Sequence, residues 1–387
     1  MVEMNAATAV EDRLEAEIDE IIDEIENQFE VDETRIRTAQ WLVMAEPEAF
    51  EKLAREGYLF ENVTELPGMG LRLAEVAAPS SFEISAVRQG VVDVVGSGRA
   101  DVDLNHFYTA GSPITHKVEG IEPRKAVPFP ADIDKMDFKI GMIDSQVDTS
   151  HPDLSGSRIH VASFVHDSAS APNFHGTAIA SMIAADGEHY RGLAPRARLY
   201  AAGVFEQDDN LGEVASTVSL VRALDWLVTS GVDVVNVSLA GPPNKLLETA
   251  LKRAANRGVL VLAAAGNGGP VAKPMYPAAY DTVVAVTAVD TGGRIFRLAN
   301  RGDYLDIAAP GVGMLHARPG GGYATSSGTS FAVPFATTAA ARLRQLEPAA
   351  NVMDSLFADA RDLGPPGRDD IYGYGLLTPL RRSTSGG

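Results

Sequence analysis

From about residue 139 onward, short uninterrupted apolar runs alternate with longer segments in which apolar residues recur every three or four positions. The apolar runs are FKIGMID, LYAAGVF, VDVVNVSL, VLVLAAA and TVVAVTAV. Runs of this length, rich in β-branched residues, are typical of strands buried on both faces. Residues 213–230 and 243–257 carry the helical spacing, and Gly258 ends the second. The alternation predicts a mostly parallel sheet flanked by helices, with ligand sites at the carboxyl ends of its strands.

The stretch from about residue 38 to residue 95 has a different pattern. It predicts a strand at QWLVM, a helix over 47–60, two strands around a Pro-Gly turn in 63–76, a second helix over 80–90 and a last strand at VVDVV. This β-α-β-β-α-β order is typical of a small ferredoxin-like α+β domain. GSGRADVD, which follows it, is predicted to be a linker. We therefore expect a small domain at residues 36–110 and a larger α/β domain at residues 111–387.

The first 35 residues are predicted to form an acidic amphipathic helical extension. Residues 11–30 contain ten acidic residues and one arginine, and apolar residues spaced three or four apart form a narrow stripe along the predicted helix. Such a helix either rests its stripe on the rest of the protein or docks a protein partner. Both interpretations stay open on the sequence.

Composition removes several classes of function. The net charge of −19 argues against a nucleic-acid partner, because binding phosphates requires basic patches. The chain has no cysteine, which excludes disulfides, thiol catalysis and thiolate metal sites. No apolar run has membrane-spanning length, and the start of the chain does not resemble a signal peptide. The expected location is therefore the cytoplasm, or outside it with a leader already removed.

Three polar residues stand where predicted elements begin or end. Asp144 ends the first buried strand, His175 precedes a helix of small residues, and Ser330 lies in the first turn of a long helix. Each alone has a commoner structural use, as a turn residue, a structural histidine or a helix cap. Together they supply a hydroxyl nucleophile, a base of suitable pKa and a carboxylate that orients the base. Asn267 follows another buried strand, either as a turn residue or as an oxyanion donor beside the Ser330 N–H.

Four segments in this order resemble the signature blocks of the subtilisin (subtilase) family: IDSQVDTSHPDL, HGTAIA, AAAGNGG and GTSFAVP. SLAGPP and YPAAY resemble two further blocks, and the order Asp, His, Ser is that of the family. The resemblance covers roughly residues 115–380.

The resemblance implies a serine endopeptidase that acts on extended polypeptides through an acyl-enzyme. Asp144, His175 and Ser330 would be its catalytic triad, and Asn267 would complete the oxyanion hole. Ser238, Leu239 and Gly241 would bind the substrate backbone as a β-strand.

The resemblance also implies that residues 36–110 act as an inhibitory and chaperone-like prodomain, so that the enzyme is made as a zymogen. Its tail would lie in the cleft, and Tyr108–Thr109 is the predicted self-cleavage point. Two alternatives stay open. The small domain is an accessory domain that is never cleaved, or the whole chain is a regulatory or binding protein of subtilase fold kept shut by its N-terminal segment.

The chain departs from the family pattern at several positions. Gln146 stands where glycine is usual, Ala178 where histidine is common, Phe331 where methionine is usual, and Val333 where a small residue is usual. None of these changes removes a proton-transfer or oxyanion group. Phe331 would make the position after the nucleophile less oxidisable.

No cofactor is required by the expected mechanism. The loop ADGEHYRG is short and lacks the asparagines of the family's calcium loop, so the usual strong calcium site is expected to be absent. The acidic pairs Asp208/Asp209 and Asp369/Asp370 would hold at most a weaker ion.

Overall fold

The computed structural model describes residues 36–76, 84–110, 114–116, 120–165, 171–348 and 350–379. The predicted acidic extension, residues 1–35, lies outside the described residues. No helix in the described part of the chain is long and apolar enough to cross a membrane.

Sixteen strands and eight α-helices are found among the described residues, together with a 3₁₀ helix at Ala131–Lys135. The strands are β1 Ile36–Ala45, β2 Phe60–Leu66, β3 Leu71–Val76, β4 Ala100–Tyr108, β5 Ile114–His116, β6 Lys139–Asp144, β7 Arg158–Ser163, β8 Arg198–Gly203, β9 Phe205–Asp208, β10 Gly212–Ser216, β11 Val234–Val237, β12 Leu260–Ala264, β13 Val283–Val289, β14 Ile307–Pro310, β15 Met314–Ala317 and β16 Tyr323–Ser327. The helices are α1 Pro47–Arg55, α2 Ile84–Val95, α3 Pro123–Ala126, α4 Phe174–Ala184, α5 Thr217–Ser230, α6 Lys245–Asn256, α7 Thr329–Leu346 and α8 Val352–Ala358.

The largest sheet has seven strands in the order β14-β13-β12-β11-β6-β8-β7, and every neighbouring pair is parallel. Alternate residues of its strands enter two different hydrophobic clusters. Ile140 and Met142 pack with helices α4 and α7, whereas Ile143 packs with α5 and α6. The sheet is therefore covered by helices on both faces, which explains its uninterrupted apolar strands and confirms the predicted subtilisin-like α/β class.

Residues 36–108 form a small α+β region whose strands run antiparallel in the order β2-β3-β1-β4. Its two helices pack on one face of the sheet, around a separate core. The predicted element order is therefore present, but the prediction of VVDVV as the last strand is wrong. Val87, Val91 and Val95 recur every four positions and are all buried, so the valines continue helix α2. The last strand is instead β4, which we had assigned to a linker and a tail.

Strand β4 connects the small region to the rest of the chain. It pairs antiparallel with β10, with Tyr108 opposite Ala215 and Phe107 opposite Ser216, so one six-stranded sheet runs through both regions. The β2–β3 hairpin adds a second contact, because the Met69 N–H donates to the buried Asp225 carboxylate on α5 at 2.9 Å. A third sheet, β15-β16-β5, completes the architecture of the described residues.

Candidate active site

Asp144 and His175 form a buried pair at the carboxyl end of β6, an interior strand of the parallel sheet. Asp144 is the last residue of β6, and His175 is the second residue of α4. The His175 Nδ1 lies 2.8 Å from Asp144 Oδ1 and 3.0 Å from Oδ2, and both side chains are almost fully excluded from solvent. The Ser145 N–H donates to Asp144 Oδ1 at 2.7 Å and fixes the carboxylate further. The contact between His175 Nδ1 and the Asp144 carboxylate assigns the ring proton to Nδ1 and leaves Nε2 with a lone pair.

Gly176 is required by the close approach of the loop that follows Asp144. A Cβ on Gly176 would lie 2.2 Å from the Ser145 carbonyl oxygen and 2.6 Å from that of Gln146. The Gly176 N–H also donates to Ser145 Oγ at 2.7 Å. The sequence His-Gly therefore lets α4 begin directly against the end of β6, which sets the distance between the His175 ring and the carboxylate.

Ser330 lies in the first turn of α7, one position before an aromatic residue that packs near the His175 ring. The ring of Phe331, the next residue, has its centroid 5.6 Å from that of His175. Ser330 Oγ is 3.5 Å from the Ser238 carbonyl oxygen, at the outer limit of a hydrogen bond. His175 Nε2 is buried and has no hydrogen-bond partner among the described residues. Of the three predicted residues, the structure thus pairs Asp144 with His175, whereas no hydrogen bond joins Ser330 Oγ to His175 Nε2.

The charge of the surroundings favours protonation of His175. Burial opposes the imidazolium, but the adjacent Asp144 carboxylate, and to a lesser degree Glu213, outweigh burial, and the pKa of His175 is raised. A base that takes up a proton here is therefore stabilised by a carboxylate already in contact with it.

A second histidine, His316, packs against the first turn of α7. His316 stacks on Phe331 with ring centroids 5.4 Å apart. Its Nδ1–H donates to the Ala317 carbonyl at 2.9 Å, and its Nε2 lies 2.9 Å from Ser326 Oγ. Burial lowers the pKa of His316 to about 4, so the ring is neutral near pH 7. We assign it a packing role next to the nucleophile.

Asn267 is held by its carbonyl oxygen at the start of α7. Its Oδ1 accepts from the Thr329 backbone N–H and from Thr329 Oγ1, both at 2.9 Å. Because both donors face Oδ1, the amide nitrogen is directed away from them, and a Cβ on Gly328 would lie 3.1 Å from it. The side chain is therefore oriented by two contacts with its donor end beside the residues that precede Ser330.

Residues 238–241, here called the substrate-binding segment, lie between two other pieces of chain. Ser238 and Leu239 are buried, and the Gly241 N–H donates to the Tyr276 carbonyl at 2.8 Å. On the other edge, the Thr109 N–H donates to the Ala240 carbonyl at 3.0 Å and the Ala240 N–H donates back at 2.8 Å. Sequence reasoning named residues 238, 239 and 241 but missed Ala240, whose N–H and carbonyl both make this pairing.

Residues 107–110, here called the cleft segment, occupy the space between β10 and the substrate-binding segment. Residues 107 and 108 pair with β10, and Thr109 pairs with Ala240. The Tyr108 ring is fully buried against Gly241, where an added Cβ would lie 2.4 Å from Tyr108 Cδ1. An extended strand of this chain thus lies between β10 and residues 238–241, and the binding of a substrate strand there stays a prediction.

The acidic pairs considered for a weak ion serve in turns. Asp208 Oδ1 accepts from the N–H groups of Asn210 and Leu211, and Asp369 Oδ1 accepts from those of Ile371 and Tyr372. Among the residues that the structure describes, no group of three or more histidine, cysteine or acidic side chains is arranged to hold a metal ion. The calcium expectation stays a prediction.

Comparison with known proteins gives consistent likenesses. The sequence pattern described as the subtilase family matches residues 135–375. The minor extracellular protease Epr of Bacillus subtilis is 35% identical over 273 residues, which cover 69% of this chain and 41% of that protein. Subtilisin E of the same organism is 35% identical over 250 residues, covering 62% of this chain and 64% of that protein. The chain thus spans less than two thirds of the length of either relative.

The solved structure of fervidolysin from Fervidobacterium pennivorans, a keratinolytic enzyme related to subtilisin, resembles the chain in fold. The TM-score is 0.72 at 21% identity, over 90% of this chain and 61% of that one. The likeness in fold therefore extends beyond residues 135–375.

Proposed function

This chain belongs to the subtilase family, and we propose that it is a serine endopeptidase with Asp144, His175 and Ser330 as its catalytic triad. The observation that carries the proposal is the buried Asp144–His175 contact at 2.8 Å, with His175 Nε2 unpartnered among the described residues and Ser330 at the adjacent helix start. A buried imidazole with one nitrogen held by a carboxylate is the arrangement that a serine nucleophile needs.

In the proposed reaction, Ser330 Oγ attacks the carbonyl carbon of the scissile peptide bond while its proton passes to His175 Nε2. The imidazolium keeps its Nδ1–H on Asp144, whose negative charge stabilises it. The oxyanion accepts hydrogen bonds from the Asn267 amide and the Ser330 backbone N–H, and the start of α7 adds its positive dipole end. His175 then returns the proton to the leaving amine, which leaves an acyl-enzyme. Water repeats the sequence and releases the second product.

The position of the cleft segment supports a self-inhibited form. An extended peptide that pairs on both edges and buries an aromatic side chain excludes any other substrate from the same place. Because residues 107–110 belong to the chain itself, their effective concentration at the cleft is high without any intermolecular encounter. We therefore propose that residues 36–110 inhibit the peptidase until the chain is cut.

The register of the cleft segment argues against a cut at Tyr108–Thr109. The Tyr108 residue pairs with Ala215, and Thr109 pairs with Ala240, two positions away from Ser238. Ser238 is the residue whose carbonyl lies 3.5 Å from Ser330 Oγ. An antiparallel peptide that keeps this register would bring its residue two positions after Thr109 opposite Ser238. In this chain that residue is Gly111, which lies outside the described residues, so we propose a cut after Gly111.

The proposal is tested with the full-length wild type, Ser330→Ala, and Ser155→Ala as a matched control. Ser155 is an exposed serine whose hydroxyl donates to the Pro152 carbonyl. Each protein is treated with a serine-directed phosphonate and weighed intact. We expect wild type and Ser155→Ala to lose residues 1–111 and to carry one adduct, and Ser330→Ala to stay whole and unlabelled.

Each result has a separate meaning. Wild-type protein that stays intact and unlabelled would reject the peptidase and support a binding protein of the same fold. Label on Ser330 without any cut would support the peptidase and an accessory domain that is never removed. A cut after Tyr108 would support the peptidase and reject the register argument.

A further inference from the structure

Glu213 lies on β10 beside the position that precedes the scissile residue. The β10–β4 register places Ala215 opposite Tyr108. Two positions earlier on β10 is Glu213, and two positions later on the other strand is Ala110. Directly opposite residues of an antiparallel pair project their side chains to the same face. The observed pairs end at Ala215–Tyr108, and continuing their register would set Glu213 opposite Ala110, with both side chains on one face of the cleft.

The Glu213 carboxylate has no hydrogen bond or ion pair with another described residue, although its backbone pairs with Gln207 in the β9–β10 hairpin. It stands within electrostatic reach of the catalytic pair. Partial burial raises the pKa of Glu213, the charge of His175 opposes that effect, and the charge of Asp144 adds to it. The Glu213 side chain is nonetheless exposed, so an acidic group stands at the edge of the cleft without a cationic partner among the described residues.

We propose that Glu213 selects substrates with a lysine or arginine at P2, the residue before the one whose carbonyl is attacked. The inference rests on the proposed peptidase function and on the cut after Gly111, which makes Ala110 the P2 residue of the cleft segment. A cationic P2 side chain would give the exposed Glu213 carboxylate an ion-pair partner, a contact of modest strength that selects by the sign of the charge.

The cleft segment itself supplies no such partner. Ala110 packs on the same hydrophobic cluster as Tyr108 but ends at a methyl group. The cleft segment therefore places the Tyr108 ring in the cleft but puts no charged side chain next to Glu213. A substrate with a basic P2 residue would make one contact that the internal segment lacks, which favours its exchange for that segment once the chain is cut.

A test that needs no catalysis uses the full chain in the Ser330→Ala background. Ala110→Lys is compared with Ala110→Met, which has a similar length and no charge. We expect amide hydrogen exchange of residues 107–110 to be slower in the lysine variant, on the order of fivefold, the upper range for a partly exposed ion pair. The difference should vanish in Glu213→Gln and persist in Asp209→Asn, which removes one charge from the same hairpin. Equal exchange in the two variants, or a difference that survives Glu213→Gln, overturns the proposal.

The catalytic test compares kcat/KM of the processed enzyme for peptides with lysine or norleucine at P2. We expect a preference for lysine on the order of fivefold that shrinks at high salt, is lost in Glu213→Gln and turns into a preference for glutamate in Glu213→Lys. Turnover without a lysine preference overturns the proposal. Absence of all turnover, with the lysine effect intact in the Ser330→Ala background, rejects the peptidase and supports the role of Glu213 in choosing the occupant.

Discussion

Asn244 connects the cleft segment to helix α6, and a single substitution there separates two functions of one side chain. Its Oδ1 caps α6 by accepting from the N–H groups of Leu246 at 3.0 Å and Leu247 at 3.2 Å. Its Nδ2 donates to the Leu104 carbonyl and to His106 Nδ1, both at 2.9 Å. The amide is buried and fully paired, so one end stabilises the helix and the other holds β4.

The expected cost follows from these contacts. Asn244→Ala loses the cap, about 1 kcal/mol, and both hydrogen bonds to β4, about 1 kcal/mol each. Asn244→Asp keeps the cap, because a carboxylate also accepts, but replaces the donor with an oxygen that faces the Leu104 carbonyl. We expect Asn244→Asp to weaken docking of β4 by about 2 kcal/mol, or about 30-fold, while α6 keeps its stability.

The pH dependence of β4 docking distinguishes wild type from Asn244→Asp more clearly, because its sign should reverse between the two proteins. In the wild type, His106 Nδ1 must accept from Asn244, so the ring is neutral. Burial lowers the pKa of His106, although the charge of Asp103 acts in the opposite direction. Docking is therefore strongest above the ordinary histidine pKa of about 6.5 and weakens as the pH falls below it. In Asn244→Asp, a protonated His106 donates to the new carboxylate. Its pKa is then raised, and docking weakens as the pH rises through the raised value.

Hydrogen exchange of residues 104–110 and of α6, measured in the Ser330→Ala background, checks both effects. Rates are corrected for the intrinsic pH dependence of exchange. Asn244→Asp should speed exchange in 104–110 alone at pH 8, whereas Asn244→Ala should speed it in both segments. His106→Asn, which cannot titrate, should show a flat profile. The reasoning is refuted if Asn244→Asp keeps the wild-type direction of pH dependence or leaves exchange in 104–110 unchanged.

Three further predictions concern the catalytic region and its surroundings. Gly176→Ala should lower kcat by at least about 100-fold, because its Cβ would lie 2.2 Å from the Ser145 carbonyl oxygen and must displace the catalytic histidine; wild-type kcat in a soluble variant would contradict this. Burial raises the pKa of Asp306 to about 6, so stability should fall between pH 4 and 6 as the unfolded carboxyl ionises first, by up to about 3 kcal/mol. Asp306→Asn should remove that part of the slope in urea unfolding, and an unchanged slope would exclude the assignment. Phe331→Met should make activity more sensitive to peroxide than in the parent, measured as the rate of inactivation.

The large domain and the positions of its polar residues could be predicted from the sequence. Buried parallel strands read as unbroken apolar runs, and helices read by their spacing, so Asp144, His175 and Ser330 fall at element ends by local pattern alone. Asp144 ends β6 and Asn267 follows β12, so parallel topology places both at the carboxyl edge of the sheet. The orientation of Asn267 could not be read in this way, since it depends on two contacts with Thr329 across the chain.

The small domain shows where local pattern misleads. A run of valines has high β propensity, yet Val87, Val91 and Val95 pack one face of α2 against the sheet, and that packing decides for the helix. The true last strand, residues 100–108, alternates apolar and polar residues from Ala100 to Asn105, a strand signal that the preceding Gly96 and Gly98 mask by favouring a linker. It becomes a strand because both of its edges find partners in the folded protein.

What the sequence by itself determined is the α/β class, the positions of Asp144, His175 and Ser330 at the ends of elements, and the family. What only the tertiary structure decided is the occupant of the cleft and its register. Tyr108 meets Ala215, and Thr109 meets Ala240, across more than a hundred residues of chain. Backbone pairing of this kind depends on how the two regions dock and leaves no periodicity in either segment. For the same reason Glu213 stands out only after docking, when the strand opposite it is known.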